Sequence, residues 1–328
     1  MEASLVRRAG VPFAAVPAAG VHGVGLRALP GNLVRLGRGV VASRAIVRRF
    51  RPQALLVTGG YVGVPVGAAA WGVPKLAYVP DIEPALALRL LARLADVVAI
   101  TTEETRAHLP AGKRVVITGY PTRPELKPID KQVARQQLDL DPARPVLLTV
   151  GGSRGAHSIN TALWGCLDRL LDKAQVIHIT GERDWPKVDE VRARLAPRRA
   201  QGYRPAAYLH EEMGAALAAA DLVISRAGAS ILGEYPLFGL PAVLVPYPHA
   251  WRYQKVNADH LVRHGAALVV DDAALGRELE ATVLELLDSP DRLAAMSAAA
   301  RALATPQAAE AIAAELERLA LTRRGDRD

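Results

Sequence analysis

The segment Ser225–Ala258, SRAGASILGEYPLFGLPAVLVPYPHAWRYQKVNA, carries the side chains best suited to binding a charged ligand. Arg226 follows an apolar run that predicts a strand, and Gly228 then opens a turn into a helix. Backbone N–H groups at a helix start attract anions, and a nearby guanidinium adds charge-assisted hydrogen bonds. We therefore predict a phosphate site whose backbone donors belong to Ala229, Ser230 and Ile231.

Glu234 follows about one turn later on the same predicted helix, so its carboxylate points toward whatever lies at the helix mouth. A phosphate would repel that carboxylate, whereas the paired hydroxyls of a ribose donate hydrogen bonds to it. We therefore predict that Glu234 binds a ribose and that Arg226 and the N–H groups take the phosphates. A polar loop with His249, Gln254 and Asn257 follows the next strand and extends the predicted site.

A second glycine turn lies in Val150–Asn160, VGGSRGAHSIN, where a strand runs into two glycines and then a helix. Such a turn lets backbone N–H groups approach a phosphate closely. The segment lacks the G-x-G-x-x-G spacing of dinucleotide sites and is not a P-loop. Both interpretations, an anion site and a purely structural turn, remain open from these residues alone.

These turns belong to an alternation of short apolar strands and alanine- and leucine-rich helices along the whole sequence. Continuous apolar strands that alternate with helices are typical of parallel sheets covered on both faces. We therefore predict an α/β protein with doubly wound parallel sheets. The predicted strands are Ala54–Thr58, Lys75–Val79, Val97–Thr101, Arg114–Thr118, Val146–Val150, Val176–Thr180, Leu222–Ser225, Ala242–Pro246 and Ala267–Val270.

Two segments resemble each other: LLVTGGYVG at Leu55–Gly63 and LLTVGGSRG at Leu147–Gly155. Each is an apolar strand that runs into Gly-Gly and a helix, which indicates two similar sheet domains. A stretch rich in proline and charge near 122–145, with one helix at Lys131–Leu138, joins them. A last helical pattern covers Pro306–Leu321.

Composition and charge limit the classes of function. The chain of 328 residues has a net charge of +8 and a pI near 9.8, which calls for an anionic partner. Nucleic acid is not predicted, because the basic residues lack interleaved aromatic side chains. Cys166 is the single cysteine of the sequence. We predict that its thiol is buried and that the protein is located in a reducing compartment. Neither a signal peptide nor a transmembrane helix is predicted.

The segment Leu33–Phe50 combines apolar residues at helical spacing with several arginines. A basic amphipathic helix of this kind suits an anionic membrane surface. An ordinary helix packed on the sheet with a solvated arginine face explains the same pattern. The two interpretations are compatible if only one edge of the helix faces lipid.

Three segments in order resemble one family of glycosyltransferases. They are GGYVGVPVGAAAWGVP at Gly59–Pro74, GGSRGAHSIN at Gly151–Asn160, and SRAGASILGE with its continuation to Ala258. The family is that of the undecaprenyldiphospho-muramoylpentapeptide β-N-acetylglucosaminyltransferases, and the likeness runs from about Glu2 to the end of the chain. The resemblance implies a GT-B fold of two Rossmann-like domains with a cleft between them.

The implied domains are an acceptor and membrane-side domain at 1–123, a linker at 124–145, a nucleotide-sugar domain at 146–305, and a helix and tail at 306–328 that return to the first domain. In the donor half, the resemblance implies that Gly152 and Ser153 approach the diphosphate and that Arg123 lies near the donor. It further implies that the uracil lies beside His210 and that Ala229–Ile231 bind the phosphates. Glu234 would bind the ribose, and Gln254 would contact the N-acetylglucosamine. The implied acceptor-binding residues are Gly59, Gly60 and Tyr61.

The sequence departs from the family pattern in the acceptor half. The family's first strand and GGTGGH loop, whose histidine is the favoured base, have no counterpart in this sequence, so the first βα unit is missing from it. Either the true start lies upstream, or the protein lacks an element of its acceptor site. Where the family commonly has His-Glu-Gln-Asn, this chain has Tyr78-Val79-Pro80-Asp81. Asp81 is a candidate for the base or for a polar contact with the ligand. The alternative is that it is only a structural residue of a turn. Tyr253 replaces a common Gln or His.

The resemblance implies inverting transfer of N-acetylglucosamine from UDP-GlcNAc to a lipid-linked muramyl-pentapeptide acceptor in peptidoglycan synthesis. It implies peripheral attachment to the cytoplasmic face of the cell membrane. We expect no metal and no cofactor, since helix N-termini and Arg226 can stabilise the leaving diphosphate and no Asp-x-Asp motif is present. The alternatives are a related transferase with another glycolipid acceptor and a catalytically impaired UDP-sugar-binding protein.

Overall fold

The computed structural model describes residues 3, 6–7, 9–19, 29–151, 156–248 and 253–325, and these form two compact units. The first unit draws its residues from Met1–Pro80, Pro84–Thr118 and Glu310–Asp328. The second draws them from Asp81–Glu83 and Gly119–Ala309. The last helix of the chain therefore ends in the unit with which the chain begins.

Both units contain a sheet of parallel strands, which confirms the predicted fold class of two doubly wound α/β domains. The first sheet has the order β1-β2-β3-β4, and the second has the order β10-β9-β8-β5-β6-β7. The strands are β1 (Leu55–Val57), β2 (Lys75–Val79), β3 (Val97–Ile100), β4 (Arg114–Ile117), β5 (Val146–Val150), β6 (Gln175–Ile179), β7 (Tyr203–Ala206), β8 (Leu222–Ser225), β9 (Ala242–Leu244) and β10 (Ala267–Val269).

Helices connect the strands, as parallel pairing requires. In the described chain the α-helices are α1 (Leu29–Phe50), α2 (Gly60–Ala69), α3 (Leu86–Leu94), α4 (Lys131–Gln137), α5 (His157–Lys173), α6 (Val188–Arg194), α7 (Pro197–Ala200), α8 (Met213–Ala219), α9 (Glu234–Phe238), α10 (Tyr253–Arg263), α11 (Leu275–Leu287), α12 (Pro290–Ala302) and α13 (Ala308–Gly325). Short 3₁₀ helices cover Glu103–His108, Trp185–Lys187, Ala229–Leu232 and Asp272–Ala274.

In the first unit, alternate residues of the central strand β2 face opposite layers of helices. Ala77 and Val79 belong to a buried cluster with Leu91 of α3. Leu76 and Tyr78 belong to a second cluster that includes Ile312 of α13. Because both faces of β2 are buried, its sequence is apolar without alternation.

Strand β7 was absent from the sequence prediction, and its residues explain why. Tyr203–Ala206 reads YRPA, so it contains a proline and an arginine in only four residues. Proline lacks the N–H that a central strand needs and is confined to edges or bulges. The strand lies at the edge of the second sheet, where it pairs with β6 alone.

The strand order of the second sheet reverses at β5, which pairs with β6 on one side and with β8 on the other. From β5 the chain adds β6 and β7 in one direction, and then β8, β9 and β10 in the other. Such a reversal leaves a crevice beyond the carboxyl ends of the two neighbouring strands. Gly151, which follows β5, and Gly228, which comes after β8, both lie at this crevice.

Candidate functional site

A cleft of about 790 Å³ lies in the second unit at the carboxyl ends of β5 and β8. Cavities of this size are typical of small-molecule sites. Val150 and Gly151 line it at the end of β5, and Ser225 and Arg226 line it at the end of β8. Five of the predicted donor-binding residues meet here: Arg226, Ser230, Ile231, Glu234 and Gln254.

The turn after β8 has a different form from the single helix that we predicted. Ala229–Leu232 is a 3₁₀ helix, and Glu234 is the first residue of the separate helix α9. Gly228 precedes the 3₁₀ helix, and a Cβ built on it would meet nothing within 4 Å. The start of the turn is therefore open, and Ser230 and Ile231 lie on the wall of the cleft.

Tyr120 packs against Gly233, the glycine that follows the 3₁₀ helix. A Cβ on Gly233 would lie 2.9 Å from the carbonyl oxygen of Tyr120 and 2.8 Å from its Cβ, so only glycine permits this packing. Burial, together with the charges of Glu234 and Asp81, raises the pKa of Tyr120 to about 12. The segment that ends in Arg123 is therefore a direct neighbour of Glu234.

Glu234 is partly buried, and burial raises the pKa of its carboxyl while the charge of Arg123 lowers it. The structure thus brings Arg123 within electrostatic range of Glu234, although Arg123 does not line the cleft itself. A partly desolvated carboxylate is a strong acceptor for hydroxyl donors. This environment suits the predicted contact with a ribose.

Arg226 lines the cleft, and three protein groups hold its guanidinium. Nη1 lies 2.6 Å from Oδ1 of Asp272 and 3.2 Å from the carbonyl oxygen of Val245. Nη2 donates to Oγ of Ser158 at 2.7 Å, and that hydroxyl donates to Asp272. The charge that we expected to face phosphate is therefore largely compensated by Asp272.

The polar residues after β9 have two different functions in the fold. Gln254 lines the cleft, and its Oε1 accepts a hydrogen bond from the backbone N–H of Tyr247 at 2.8 Å. Asn257 is fully buried and donates to Asp81 and to the carbonyl oxygen of Ala227. Asn257 is thus a structural anchor, which corrects the interpretation that grouped it with the ligand loop.

The remaining residues predicted to bind the donor either do not line the cleft or lie outside the described residues. Gly152, Ser153 and His249 lie outside the described residues. The ring of His210 packs against that of Tyr208, with centroids 4.6 Å apart, and does not line the cleft. Ala229 opens the 3₁₀ helix but is also absent from the lining.

The predicted acceptor turn lies in the first unit, at the start of α2. Gly59 and Gly60 have φ angles of 107° and 73°, a region that disfavours residues with a side chain. A Cβ on Gly60 would meet nothing within 4 Å, and Tyr61 is exposed. The turn therefore places the start of α2 at the surface, and a helix start is a position where backbone N–H groups can bind anions.

Asp81, the candidate base, is a partly buried residue of the second unit. Its Oδ1 accepts a hydrogen bond from Nδ2 of Asn257 at 2.9 Å. Burial raises the pKa of the carboxyl, and the hydrogen bond from Asn257 lowers it by less. The next residue, Ile82, donates its backbone N–H to the same asparagine. Asp81 therefore anchors the chain where it enters the second unit.

The sequence matches two family models that together cover most of the chain. Residues 1–100 match the N-terminal domain of glycosyltransferase family 28, and residues 146–313 match the C-terminal domain of the same family. The chain belongs to glycosyltransferase family 28. The cleft described above lies within the matched C-terminal domain.

Curated relatives of this family 28 chain carry one shared name. A protein of Roseiflexus sp. (strain RS-1) is 41% identical over 98% of this chain and 82% of its own length. A protein of Moorella thermoacetica is 43% identical over 95% of this chain and 86% of its own length. Both are named UDP-N-acetylglucosamine–N-acetylmuramyl-(pentapeptide) pyrophosphoryl-undecaprenol N-acetylglucosamine transferase.

Solved structures support the same fold. The crystal structure of Acinetobacter baumannii MurG superposes with a TM-score of 0.76 at 26% identity, over 97% of this chain and 88% of that one. The likeness confirms the GT-B fold predicted from the sequence. A UDP-GlcNAc 2-epimerase from Neisseria meningitidis, at 13% identity and a TM-score of 0.64 over 87% of this chain and 81% of that one, shares the fold alone.

The sequence prediction missed several side chains on the cleft wall of this family 28 chain. They are His157, Ser158, Arg183, Tyr247 and Asp272. Each lies shortly after a strand of the second sheet, where the carboxyl ends of parallel strands meet. Polar residues at those positions were the available signal, but their partners come from other strands and cannot be read from local spacing.

Proposed function

We propose that this chain transfers N-acetylglucosamine from UDP-GlcNAc to a lipid-linked MurNAc-pentapeptide, with inversion at the anomeric carbon. One observation carries the donor half of the proposal. Ser230 at the start of the 3₁₀ turn, the carboxylate of Glu234 and the amide of Gln254 line a single cleft at the sheet reversal, whereas the N–H of Ile231 is bonded to the carbonyl oxygen of Gly228. The curated relatives that share 36–43% identity with the chain supply the identity of the sugar and of the acceptor.

Each donor group has a chemical counterpart in a nucleotide sugar. Glu234 accepts hydrogen bonds from the ribose hydroxyls, and Gln254 contacts hydroxyls of the transferred sugar. The N–H groups at the start of the 3₁₀ turn, those of Ala229 and Ser230, bind the diphosphate. The further proposed donor-binding residues are Arg123, Gly152, Ser153, His210, Arg226 and Ala229.

The reaction is a displacement in which an acceptor hydroxyl attacks the anomeric carbon and the nucleotide diphosphate leaves. The transition state resembles an oxocarbenium ion, and negative charge grows on the diphosphate. Backbone N–H groups aimed at that charge lower the barrier, because they need no reorganisation during the reaction. We assign no residue of this chain as the base that takes the acceptor proton.

The acceptor half of the proposal rests on the first unit. The positive-φ turn at Gly59 and Gly60 offers backbone donors to the pyrophosphate of the lipid, and the exposed ring of Tyr61 lies next to it. Exposed leucines recur at Leu86, Leu90 and Leu94, one helical turn apart along α3. An apolar stripe of this kind suits the lipid side of the acceptor.

We further propose that this unit binds the anionic cytoplasmic face of the membrane as a peripheral protein. In the described residues, no helix is long and apolar enough to span a bilayer. Helix α1 carries exposed Val34 and Val41 among exposed arginines, including Arg38 and Arg48. Trp71, elsewhere in the unit, is 91% exposed. Apolar side chains mixed with arginines insert into the headgroup region of anionic lipids.

The transfer is tested with the purified full chain, UDP-GlcNAc and an undecaprenyl-pyrophosphoryl-MurNAc-pentapeptide in detergent. The proposal expects one disaccharide lipid and one UDP per turnover, with little UDP release when the acceptor is omitted. Glu234→Ala should raise the KM for UDP-GlcNAc by about tenfold or more, since it removes hydrogen bonds to a charged group. Addition of a chelator should leave the rate unchanged.

Two outcomes would redirect the proposal. Binding of UDP-GlcNAc without any transfer would support the impaired sugar-binding protein. Transfer to a different glycolipid, with none to the muramyl lipid, would keep the donor assignment and replace the acceptor.

Membrane binding is tested by sedimentation with vesicles of anionic or purely zwitterionic lipid. We expect binding to the anionic vesicles only, with an affinity that falls as salt rises. The double variant Arg38→Glu/Arg48→Glu should no longer bind the anionic vesicles. Arg169→Glu, on the second unit, should still bind them. Equal binding of the two variants would contradict the placement of the lipid-facing surface on α1.

A further inference from the structure

His157 is a side chain of the cleft that the proposed donor contacts do not use. It is the first residue of α5 and lines the cleft, with half of its side chain exposed. Its Nδ1 lies 2.9 Å and 3.0 Å from the two carboxylate oxygens of Asp184. Because Asp184 occupies Nδ1, the other ring nitrogen, Nε2, is the one available to a ligand in the cleft.

Asp184 is itself held in place. It is buried, with 3% of its surface exposed, and its Oδ2 accepts a hydrogen bond from Nδ2 of Asn160 at 2.8 Å. Burial raises the pKa of this carboxyl, but the hydrogen bonds from Asn160 and His157 lower it more, so the net shift is downward. The carboxylate that faces His157 is therefore ionised and fixed in orientation.

A chain of buried hydrogen bonds continues behind Asn160. Its Oδ1 lies 2.9 Å from Nε2 of His178, whose Nδ1 lies 2.9 Å from the hydroxyl of Tyr203. Nε1 of Trp164 donates to the same hydroxyl at 3.1 Å. Burial lowers the pKa of His178 to about 3, so its ring is neutral and carries one proton.

That single proton fixes the direction of the chain. Because Nδ2 of Asn160 donates to Asp184 and to the carbonyl oxygen of Thr180, its Oδ1 must accept, and His178 donates through Nε2. Tyr203 then donates to His178 and accepts from Trp164. Every bond donates toward Asp184, and a satisfied polar network of this kind makes its end group rigid.

The charges in the cleft indicate which ligand group His157 and Asp184 contact. Asp272 compensates Arg226, and Glu234 adds a negative charge to the wall. A diphosphate needs further donors there. Arg183, next to Asp184 in the chain, also lines the cleft. The loop after β6 therefore supplies both a cation and the carboxylate that positions His157.

We infer that His157 is a further donor-binding residue, which donates from Nε2 to a phosphate of the nucleotide diphosphate while Asp184 positions its ring. When the ring carries both protons, Nδ1 donates to Asp184 and Nε2 donates to the phosphate. Charge on the diphosphate grows as the glycosidic bond breaks, so the contact strengthens toward the transition state. The inference rests on the proposed donor site.

The test compares UDP with uridine, because only UDP carries the phosphates. His157→Ala should weaken UDP binding by about tenfold in calorimetry and leave uridine binding unchanged in a competition assay. Thr161→Ala, an exposed position one turn further along α5, is the matched control and should keep wild-type affinity for both. Unchanged UDP affinity, or an equal loss for uridine, overturns the inference.

The positioning role of Asp184 is tested by a double-mutant cycle with Asp184→Asn. If Asp184 acts through His157, each single variant and the double variant should show about the same loss of UDP affinity. Additive losses overturn the positioning role. Because Asp184 is buried, thermal unfolding of each variant must show a folded protein. If Asp184→Asn does not fold, His157→Gln, which keeps a donor without the ring, should recover part of the affinity that His157→Ala loses.

Failure of the inference is distinct from failure of the proposed function. If the wild-type chain transfers N-acetylglucosamine and His157→Ala has the same kcat and KM, the inference alone is wrong. If the wild-type chain neither binds UDP nor transfers the sugar, the donor site itself is wrong.

Discussion

Arg226 and Asp272 form an ion pair in the wall of the cleft, with Nη1 of the arginine 2.6 Å from Oδ1 of the aspartate. The two side chains are only 15% and 23% exposed. Ser158, at the start of α5, is hydrogen-bonded to both. The pair therefore joins the end of β8 to the segment after β10 and to the first turn of α5, and this fixes the walls of the donor cleft.

Loss of the arginine should affect both stability and binding. We expect Arg226→Ala to lower the free energy of unfolding by about 3 kcal/mol, because it removes the close ion pair with the largely buried carboxylate of Asp272. The same variant should weaken UDP binding by about tenfold, because the wall of the cleft loses a positive charge. Urea unfolding and calorimetry measure the two effects.

The control is Arg169→Ala. Arg169 is 73% exposed and pairs with Glu280, so this variant should change stability by less than about 1 kcal/mol. Similar unfolding curves for the two variants would contradict the structural role of Arg226.

Gly233 should not tolerate a side chain. An alanine there places Cβ 2.9 Å from the carbonyl oxygen of Tyr120, so the backbone near Glu234 must shift. We expect Gly233→Ala to lower stability by about 1–3 kcal/mol and to raise the KM for the nucleotide sugar. Gly165→Ala is the control: in the interior of α5, with nothing within 4 Å, it should stabilise the protein by up to about 1 kcal/mol. A Gly233→Ala variant with wild-type Tm and KM would show that the turn accommodates Cβ.

His178 should make the protein less stable in mild acid. Its pKa falls from 6.5 to about 3 on folding because burial disfavours the charged ring. Between those values the unfolded chain binds a proton that the folded chain does not. The contribution is thus fully present above pH 6.5 and is lost as the pH falls, by about 1.4 kcal/mol per pH unit. Denaturant unfolding at several pH values should give a flatter dependence for His178→Gln than for the wild type. Equal slopes would mean that the imidazole titrates normally.

Asp81 is predicted to anchor the chain rather than to take a proton. Asp81→Asn keeps an acceptor for Nδ2 of Asn257 and removes only the charge. We expect kcat to stay within about threefold of the wild type, whereas loss of a general base lowers it by 10²–10⁴-fold. Asp81→Ala, which removes the acceptor, should lower the free energy of unfolding by about 1–2 kcal/mol. A hundredfold fall in kcat for a stably folded Asp81→Asn would instead identify Asp81 as the base.

Local sequence determined the secondary structure and the class of fold. Apolar strands that alternate with helices predict parallel sheets, and glycines at the strand ends predict turns that bind anions. Of the described residues predicted to bind the donor, five line the same cleft: Arg226, Ser230, Ile231, Glu234 and Gln254. The prediction of the fold class succeeds because hydrophobic periodicity acts over a few residues. The edge strand Tyr203–Ala206 escaped the same reasoning because its proline and arginine hide the apolar pattern.

Only the tertiary structure decided which side chains are partners. Arg226 meets Asp272 across 46 residues and Ser158 across 68, and Asn257 meets Asp81 across 176. His157 and Asp184 meet because β5 and β6 are neighbours, so that the segments after both strands reach one edge of the sheet. The order of strands in a sheet results from the packing of the whole domain, and no local spacing encodes it. The sequence alone therefore specified the types of group at the site, and the sheet order determined the pairs that they form.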